Sequence, residues 1–572
     1  MKKQSGAAAA AITGHGEVPD DPGVTAVWPL RPAPVIASAA LLALALRLFQ
    51  LSRPGYLSGF TEYDDGVYFG NALRLVHGAI AYRDFAMVQP PGSMLLMAPV
   101  AAAAKVFGAA WGLAAARLLT VLADTANVVL IGLLVRHRGP LAAGLACGVY
   151  AVYPAALVAS RTLFLEPWLN LFCLLGAVLL FRSGQLAGRR GLAWGGACFG
   201  FAAAVKIWAL APAALAALIV WACARARLGR AWFAGGFAAG LAVPCLPFLV
   251  LAPGGFGRTV FVSELVQGTH GRFGPRPRLA DITGLAGLTS GPPALGAVVA
   301  VSAAIGLLIA AAWLLTWRAT AASRDGAHGR DGAHGRDSAH GRDGAFGRLA
   351  PLDWYVLAGL VLVTAMMFAP SEWYEHYAAF EGPFVVLAVA LPVARLAAAA
   401  RPGRPGLTRV PAACTAAVAG LVIGALALAS VSASVRQGPV RSYAAAGAII
   451  PPGACVLTDT ASATIAVNRF TATSPGCPQL VDSVGTLIAT TRGQDMTGPP
   501  AVRAADTSAW QQAFSRARYV WLIGNRGNTG ARIAWTWPLF AYFDRHFRLL
   551  TFASAFRGRG DVPRDGLYVR KA

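Results

Sequence analysis

The sequence predicts an α-helical protein that crosses a membrane about eleven times and ends in a small extracytoplasmic α/β domain. Three observations predict it. Of 572 residues, 56% are apolar and only 13% are charged, against about 25% charged in soluble chains. Apolar runs of roughly 17–25 residues recur, the length at which a helix covers about 30 Å of hydrocarbon. Arg and Lys gather in short loops between these runs, as the positive-inside rule expects.

Taken in order, residues 1–32 are Ala/Gly/Pro-rich and polar and read as a disordered cytoplasmic tail, with no cleavable leader. The first span, 34–51, then serves as the membrane-targeting signal. Further spans are expected at 111–135, 139–159, 167–181, 191–207, 208–222, 231–252, 292–317, 352–369, 379–399 and 411–435. The shorter run 93–108 is taken as an interfacial or re-entrant helix. With that choice Arg136–Arg138, Arg182–Arg190, Arg225–Arg230, Arg318–Arg348 and Arg401–Arg409 all face the cytoplasm. The segments 52–110, 160–166, 253–291, 370–378 and 436–572 then lie outside, and most of the carboxylates of interest lie in them.

Within the membrane module, 33–435, the loop 318–350 contains a tandem hexad over 324–347 (RDGAHG, RDGAHG, RDSAHG, RDGAFG). It has no apolar content to bury and is expected to be disordered. Its three histidines could bind a metal weakly, but a slipped repeat tolerated in a loop accounts for them. The region 436–572 changes character. Short β-rich runs at Cys455–Thr458, Gln479–Asp482, Tyr519–Ile523, Arg548–Phe552 and Leu567–Val569 alternate with helical stretches near Val484–Thr491 and Ser508–Ala517.

The net charge is +23. Nucleic-acid binding is excluded by where the charges sit, in inter-span loops rather than along one amphipathic face interleaved with aromatics. Of eight cysteines, Cys147, Cys173, Cys198, Cys223, Cys245 and Cys414 fall in apolar runs and read as small buried hydrophobes. Cys455 and Cys477 fall in the polar C-terminal region and could pair if it is extracytoplasmic. No Cys/His zinc spacing is present.

The chemistry-bearing residues cluster in the outer loops. The first loop reads Glu62-Tyr63-Asp64-Asp65-Gly66-Val67-Tyr68, then Tyr82-Arg83-Asp84, then Gln89-Pro90-Pro91. A carboxylate at a membrane interface is unfavourable unless paired, solvated or used. Asp64 or Asp65 could serve as a general base or cap the helix expected over 66–78. Arg161 and Glu166 occupy the second loop, where Glu166 also suits a helix N-terminus ahead of Pro167. Lys206 lies between two apolar runs, where it must snorkel or meet an anion. Arg272, Arg276 and Arg278 form a basic cluster on the outer side, against the positive-inside trend, as either an anionic ligand such as phosphate or a solvated loop near lipid headgroups would explain. The last loop, Ser371–Tyr377, supplies His376 and Tyr377, which suit either interfacial anchoring or a phosphate or sugar contact.

This set resembles the GT-C superfamily of polyprenyl-phosphate-sugar glycosyltransferases, closest to the branch with protein O-mannosyltransferases and lipid A aminoarabinose transferases. The resemblance rests on Asp64-Asp65 with Tyr68, the Pro90-Pro91 pair, Arg161 with Glu166, Lys206, and His376-Tyr377, in that order over about 34–400. Glu166 stands where relatives often have Asp, and Gln89 where they often have a basic residue. The resemblance implies a GT-C-like module and an inverting displacement. Asp64 would be the general base, with Asp65 and Glu166 orienting the acceptor or the base. Lys206, Arg161 and Arg272 or Arg276 would stabilise the leaving lipid phosphate. A divalent cation held by Asp64 and Glu166 stays open, since members differ in using one.

The implied partners are a polyprenyl-phosphate-linked sugar, membrane lipids, and a cell-envelope glycan, lipid or protein as acceptor. The Ala/Gly/Arg-rich composition points to a GC-rich, actinobacterial-type genome and so to mannose or arabinose as the sugar. A transporter or lipid-linked glycan flippase is the rival reading. Against it, the spans show no internal repeat and no paired broken helices in matching halves, and the carboxylates collect on one face rather than at mid-membrane. A glycan ligase or an inactive scaffold with an outer sensing domain are further rivals.

Overall fold

In the computed structural model the described residues are 31–224, 227–262, 273–289, 291–328, 349–370, 373–399, 412–440, 442–491, 500–524, 533–552 and 562–571. The expected tail 1–32 falls outside them but for its last two residues, and the hexad repeat falls outside them from residue 329 on; its first five residues, expected to be disordered, end the helix Leu295–His328. Each of the eleven expected spans contains helix. The first ten helices are α1 (Pro32–Leu51), α2 (Tyr63–Val76), α3 (Gly92–Phe107), α4 (Ala109–Val135), α5 (Pro140–Ala151), α6 (Pro154–Ser160), α7 (Glu166–Leu180), α8 (Arg189–Val205), α9 (Leu210–Cys223) and α10 (Arg227–Leu251). Helices Leu295–His328, Pro351–Met367, Ala378–Ala399 and Ala412–Arg436 complete the membrane module.

Among the described residues, six helices are long and apolar enough to cross a bilayer, and α5 with α6, bent by 56°, adds a seventh. Pro154 accounts for the bend, because proline opens a helix readily and cannot continue one. The run 93–108 forms the short apolar helix α3, right after the Pro90-Pro91 pair. Strands β1 (Phe181–Arg182) and β2 (Gln185–Leu186) make a tight hairpin between α7 and α8. Its two turn residues, Ser183 and Gly184, both have positive φ, as the twist of a two-residue hairpin demands.

Packing inside the module relies on small residues. Gly196 and Gly200 on α8 lie against Gly236 and Gly240 on α10; a Cβ at Gly200 would come within 2.1 Å of the Phe237 carbonyl, and one at Gly240 within 2.1 Å of the Ala197 carbonyl. Later residues of α8 meet later residues of α10, so the two helices run parallel with backbones in contact. The one fully enclosed ion pair among the described α1 contacts joins Arg47 to Asp124 of α4 at 2.8 Å. Asp124 also accepts from Tyr150 (2.9 Å) and Asn127 (3.1 Å), and Asn127 donates to the Pro167 carbonyl at 2.9 Å. Buried charge inside an apolar bundle is tolerated only when saturated in this way.

The C-terminal region forms a four-stranded sheet, order β3-β4-β6-β5, from β3 (Val456–Thr458), β4 (Tyr519–Leu522), β5 (Phe547–Phe552) and β6 (Gly566–Arg570). β3 and β4 are parallel and the other pairs antiparallel. Trp510, Phe514 and Phe543, from helices Pro500–Arg516 and Trp537–His546, pack on it. The expected strand at Gln479–Asp482 is a correction: the segment is irregular. Its polar groups are spent on the first outer loop rather than on a neighbouring strand. Tyr63 donates to Asp482 at 2.6 Å and Arg74 to the Leu480 carbonyl at 3.4 Å. Cys455 and Cys477 are disulfide-bonded, which ties this segment to the start of β3.

Candidate active site

α2 opens the site. Its N-cap is Glu62, which makes no side-chain cap bond, and Asp64 and Asp65 occupy its first turn. Neither aspartate is therefore the cap expected from the sequence, although both suit the positive end of the helix. They face different surroundings. Asp65 is wholly buried and saturated: Arg117 of α4 and Thr162 bond it closely, Thr61 donates at 2.7 Å and the Leu163 amide at 2.6 Å. Burial alone would raise its pKa, but the Arg117 charge and these hydrogen bonds hold it below the usual carboxylate range.

Asp64 is still reached by solvent, and its carboxylate has no hydrogen-bond partner among the described residues. Its pKa stands at about 7, raised first by burial and then by the negative charges of Asp482, Glu62 and Glu166; Lys206 opposes the rise. Two adjacent carboxyls are thus one locked and one able to exchange a proton near neutrality.

Opposite Asp64, α7 begins at Glu166 and α8 ends at Lys206, where the chain turns extended before α9. Lys206 does not snorkel. It is 3% exposed and donates to Glu166 Oε1 at 2.8 Å. Its ammonium lies 3.5 Å from the centre of the Trp208 ring and 4.3 Å from that of Tyr377, a cage of the kind that stabilises a desolvated cation. The other oxygen, Glu166 Oε2, is buried and has no hydrogen-bond partner among the described residues. His376 stacks on Phe164 with ring centres 3.8 Å apart, and Tyr377 packs at 4.8 Å from His376. Arg161 reaches Glu62 and Glu375, each at 3.5 Å, tying the first and last outer loops together. Tyr68 is half-buried beside Asp64, and desolvation and that negative charge push its pKa well above 10, so it remains a donor.

The structure therefore brings together Asp64, Asp65, Tyr68, Arg161, Glu166, Lys206, His376 and Tyr377. Arg276 lies elsewhere, donating to the Pro293 (2.7 Å) and Pro292 (3.0 Å) carbonyls, and Arg278 is buried against the Met367 and Pro370 carbonyls. Arg272 lies outside the described residues. The sequence reading missed Asp482, Tyr63 and Arg117. Arg117 left a signal, being a lone cation inside an apolar run that needs a partner; Asp482 left none.

The donor set does not suit a resident divalent cation. Among the described residues no three His, Cys, Asp or Glu side chains are arranged to hold one. Glu166 Oε1 is committed to the Lys206 ammonium, which already supplies positive charge there.

No protein-family model matches the chain, and no curated protein sequence does. Solved structures do. The chain matches ArnT from Cupriavidus metallidurans bound to undecaprenyl phosphate over 86% of its own length and 92% of that chain, with a TM-score of 0.51 and 14% identity. The chain shares the fold of that structure. The Archaeoglobus fulgidus oligosaccharyltransferase tethered to an acceptor peptide matches at 14% identity, covering 86% of this chain and 68% of that one, with a TM-score of 0.49. The arabinofuranosyltransferase AftD from Mycobacteria matches at 16% identity, covering 94% and 40%, with a TM-score of 0.43. Within this fold, the recess around Asp64 is walled by the start of α2, the start of α7, the end of α8 and the segment that carries Asp482.

Proposed function

We propose that the chain is a membrane glycosyltransferase that moves a sugar from a polyprenyl-phosphate donor to an acceptor hydroxyl on the extracytoplasmic face, with inversion and with Asp64 as general base. One observation carries the reading. A solvent-reached carboxylate with a pKa of about 7 shares a recess with a buried, caged ammonium, Lys206. That is a proton acceptor beside a cation suited to an anionic leaving group. The GT-C fold supports the donor class, since the ArnT structure holds undecaprenyl phosphate.

In this mechanism the acceptor oxygen attacks the anomeric carbon while its proton passes to Asp64. The bond from that carbon to the phosphate oxygen breaks, and the lipid phosphate leaves with the bonding pair. Lys206 and Arg161 face its charge. Glu166 holds Lys206 in place. Asp65, fastened by Arg117, fixes the turn that aims Asp64. His376 and Tyr377 wall the sugar site, and Tyr68 donates into it.

The topology belongs to the same reading: a cytoplasmic tail at 1–32, an eleven-span module at 33–435 that counts its shorter helices, and an extracytoplasmic 436–572. The Cys455–Cys477 disulfide supports that side for the C-terminal region, because disulfides persist in oxidising compartments. The donor sugar is taken as mannose or arabinose, on the composition of the chain.

The test is transfer from a panel of radiolabelled polyprenyl-phosphate sugars in membranes carrying the wild type or Asp64→Asn. One donor should be consumed, and the variant should lose about 10²–10⁴-fold in rate. Equal consumption by both would remove Asp64 from the chemistry.

A further inference from the structure

A cleft of about 530 Å³ opens where residues Tyr82–Ala86, the short helical segment 253–262 after α10 and the C-terminal region meet. It is distinct from the Asp64 recess but shares a wall with it. Gln479 and Leu480 line the cleft, while Asp482 on the same segment places its charge beside Asp64.

The lining is strongly one-signed. Arg83, Arg258 and Arg516 contribute to it, with Asp84 as the lone carboxylate. Asp84 is already taken by Arg83 at 2.8 Å. Arg258 and Arg516 are exposed, and neither makes a hydrogen bond or ion pair among the described residues. Around them stand uncharged groups, including Gln479, Gln512 and Thr490. Guanidinium forks match carboxylate and phosphate oxygens, and amides and hydroxyls match sugar hydroxyls.

We infer that this cleft binds the acceptor and that the acceptor is an anionic glycan, its carboxylate or phosphate held by Arg258 and Arg516. The role as acceptor rests on the glycosyltransferase reading; the binding itself does not. A glycan seated there has only the Gln479–Asp482 segment between it and Asp64.

The test uses the full chain purified in detergent and a fluorescent oligogalacturonate as probe. A neutral maltooligosaccharide of equal length and phosphatidylglycerol vesicles are the comparisons. The oligogalacturonate should bind about tenfold or more tighter than the neutral chain, and more weakly as salt is raised. Arg258→Glu/Arg516→Glu should lose about tenfold or more in affinity, and Arg258→Gln/Arg516→Gln an intermediate amount. An oxidised Cys455–Cys477 bond, read by gel shift, confirms that both variants are folded. Asp64→Asn should bind as the wild type does. Equal binding of the neutral glycan, or unchanged binding by both double variants, overturns the inference. So does tighter binding of the vesicles than of the glycan through the same arginines, which would make the cleft a headgroup site. Binding as expected, with Asp64→Asn still transferring sugar, would sink the catalytic reading and leave the cleft standing.

Discussion

Lys206 Nζ lies 2.8 Å from Glu166 Oε1, both side chains buried and the ammonium enclosed by Trp208 and Tyr377. The pair joins the start of α7 to the end of α8, so it has a structural and a chemical part to play. Removing one partner leaves a buried charge uncompensated, which costs roughly 3–5 kcal/mol. Lys206→Met alone should lower the unfolding temperature in detergent and abolish transfer. Glu166→Gln/Lys206→Met should recover much of the unfolding temperature but none of the transfer. A double variant that transfers sugar would show that Lys206 does not face the leaving phosphate.

Asp64 sets the pH dependence. With a pKa of about 7 it is about one-tenth ionised at pH 6 and about nine-tenths at pH 8. Transfer should therefore rise through neutrality along a single-proton limb. Because this pKa is raised above the ordinary 3.8, the stability it contributes is complete below about 3.8 and lost as pH rises through about 7. Asp482→Asn removes a negative charge that raises it, so the limb should move to lower pH. An unmoved limb would mean that Asp482 only fastens Tyr63. The readout is the pH–rate profile of both forms.

Gly66 should tolerate no side chain. A Cβ there would come within 2.0 Å of the Ser462 amide nitrogen and 2.7 Å of the Ala461 carbonyl carbon. Gly66→Ala must lift helix Ala461–Ala466 away from α2. The variant should still insert and purify, lose about tenfold or more in transfer, and expose the C-terminal region to limited proteolysis. Wild-type activity and protease resistance together would show that this contact does not bear on the site.

Cys455→Ser should act on the same segment from its other end. The bond closes a loop with a sequence separation of 22, for which chain entropy alone gives roughly 3 kcal/mol. The variant, or the wild type under reductant, should lose transfer with the membrane helices intact by circular dichroism. Full activity after complete reduction would detach the disulfide from catalysis.

Much of the site was legible in the sequence because membrane proteins sort charge by side. Asp64, Arg161, Glu166 and His376 stand in segments expected on the outer side and Lys206 between two apolar runs, and shared sidedness together with the resemblance to GT-C enzymes drew them together. Partners inside the bundle were harder, although Arg47 and Asp124 show the rule: an ion within an apolar run implies a counter-ion on another helix. Asp482 could not be read. It meets Tyr63 across a sequence separation of 419, and nothing local marks it. The same holds for Gln479–Asp482, whose β-rich residues suggested a strand but whose polar groups are used by α2. The opposite fates of Asp64 and Asp65 depend on Arg117 and Thr162, which are distant in the chain.

The glycine seam between α8 and α10 ties these parts together mechanically. Because the helices run parallel with their backbones touching, they behave as a single two-ply beam rather than as two sliding rods. One ply ends at Lys206 and the other just before the turn that bears Arg258. The segment that bears Arg258 and the ammonium of the reaction centre are thus both carried at the ends of helices packed backbone to backbone.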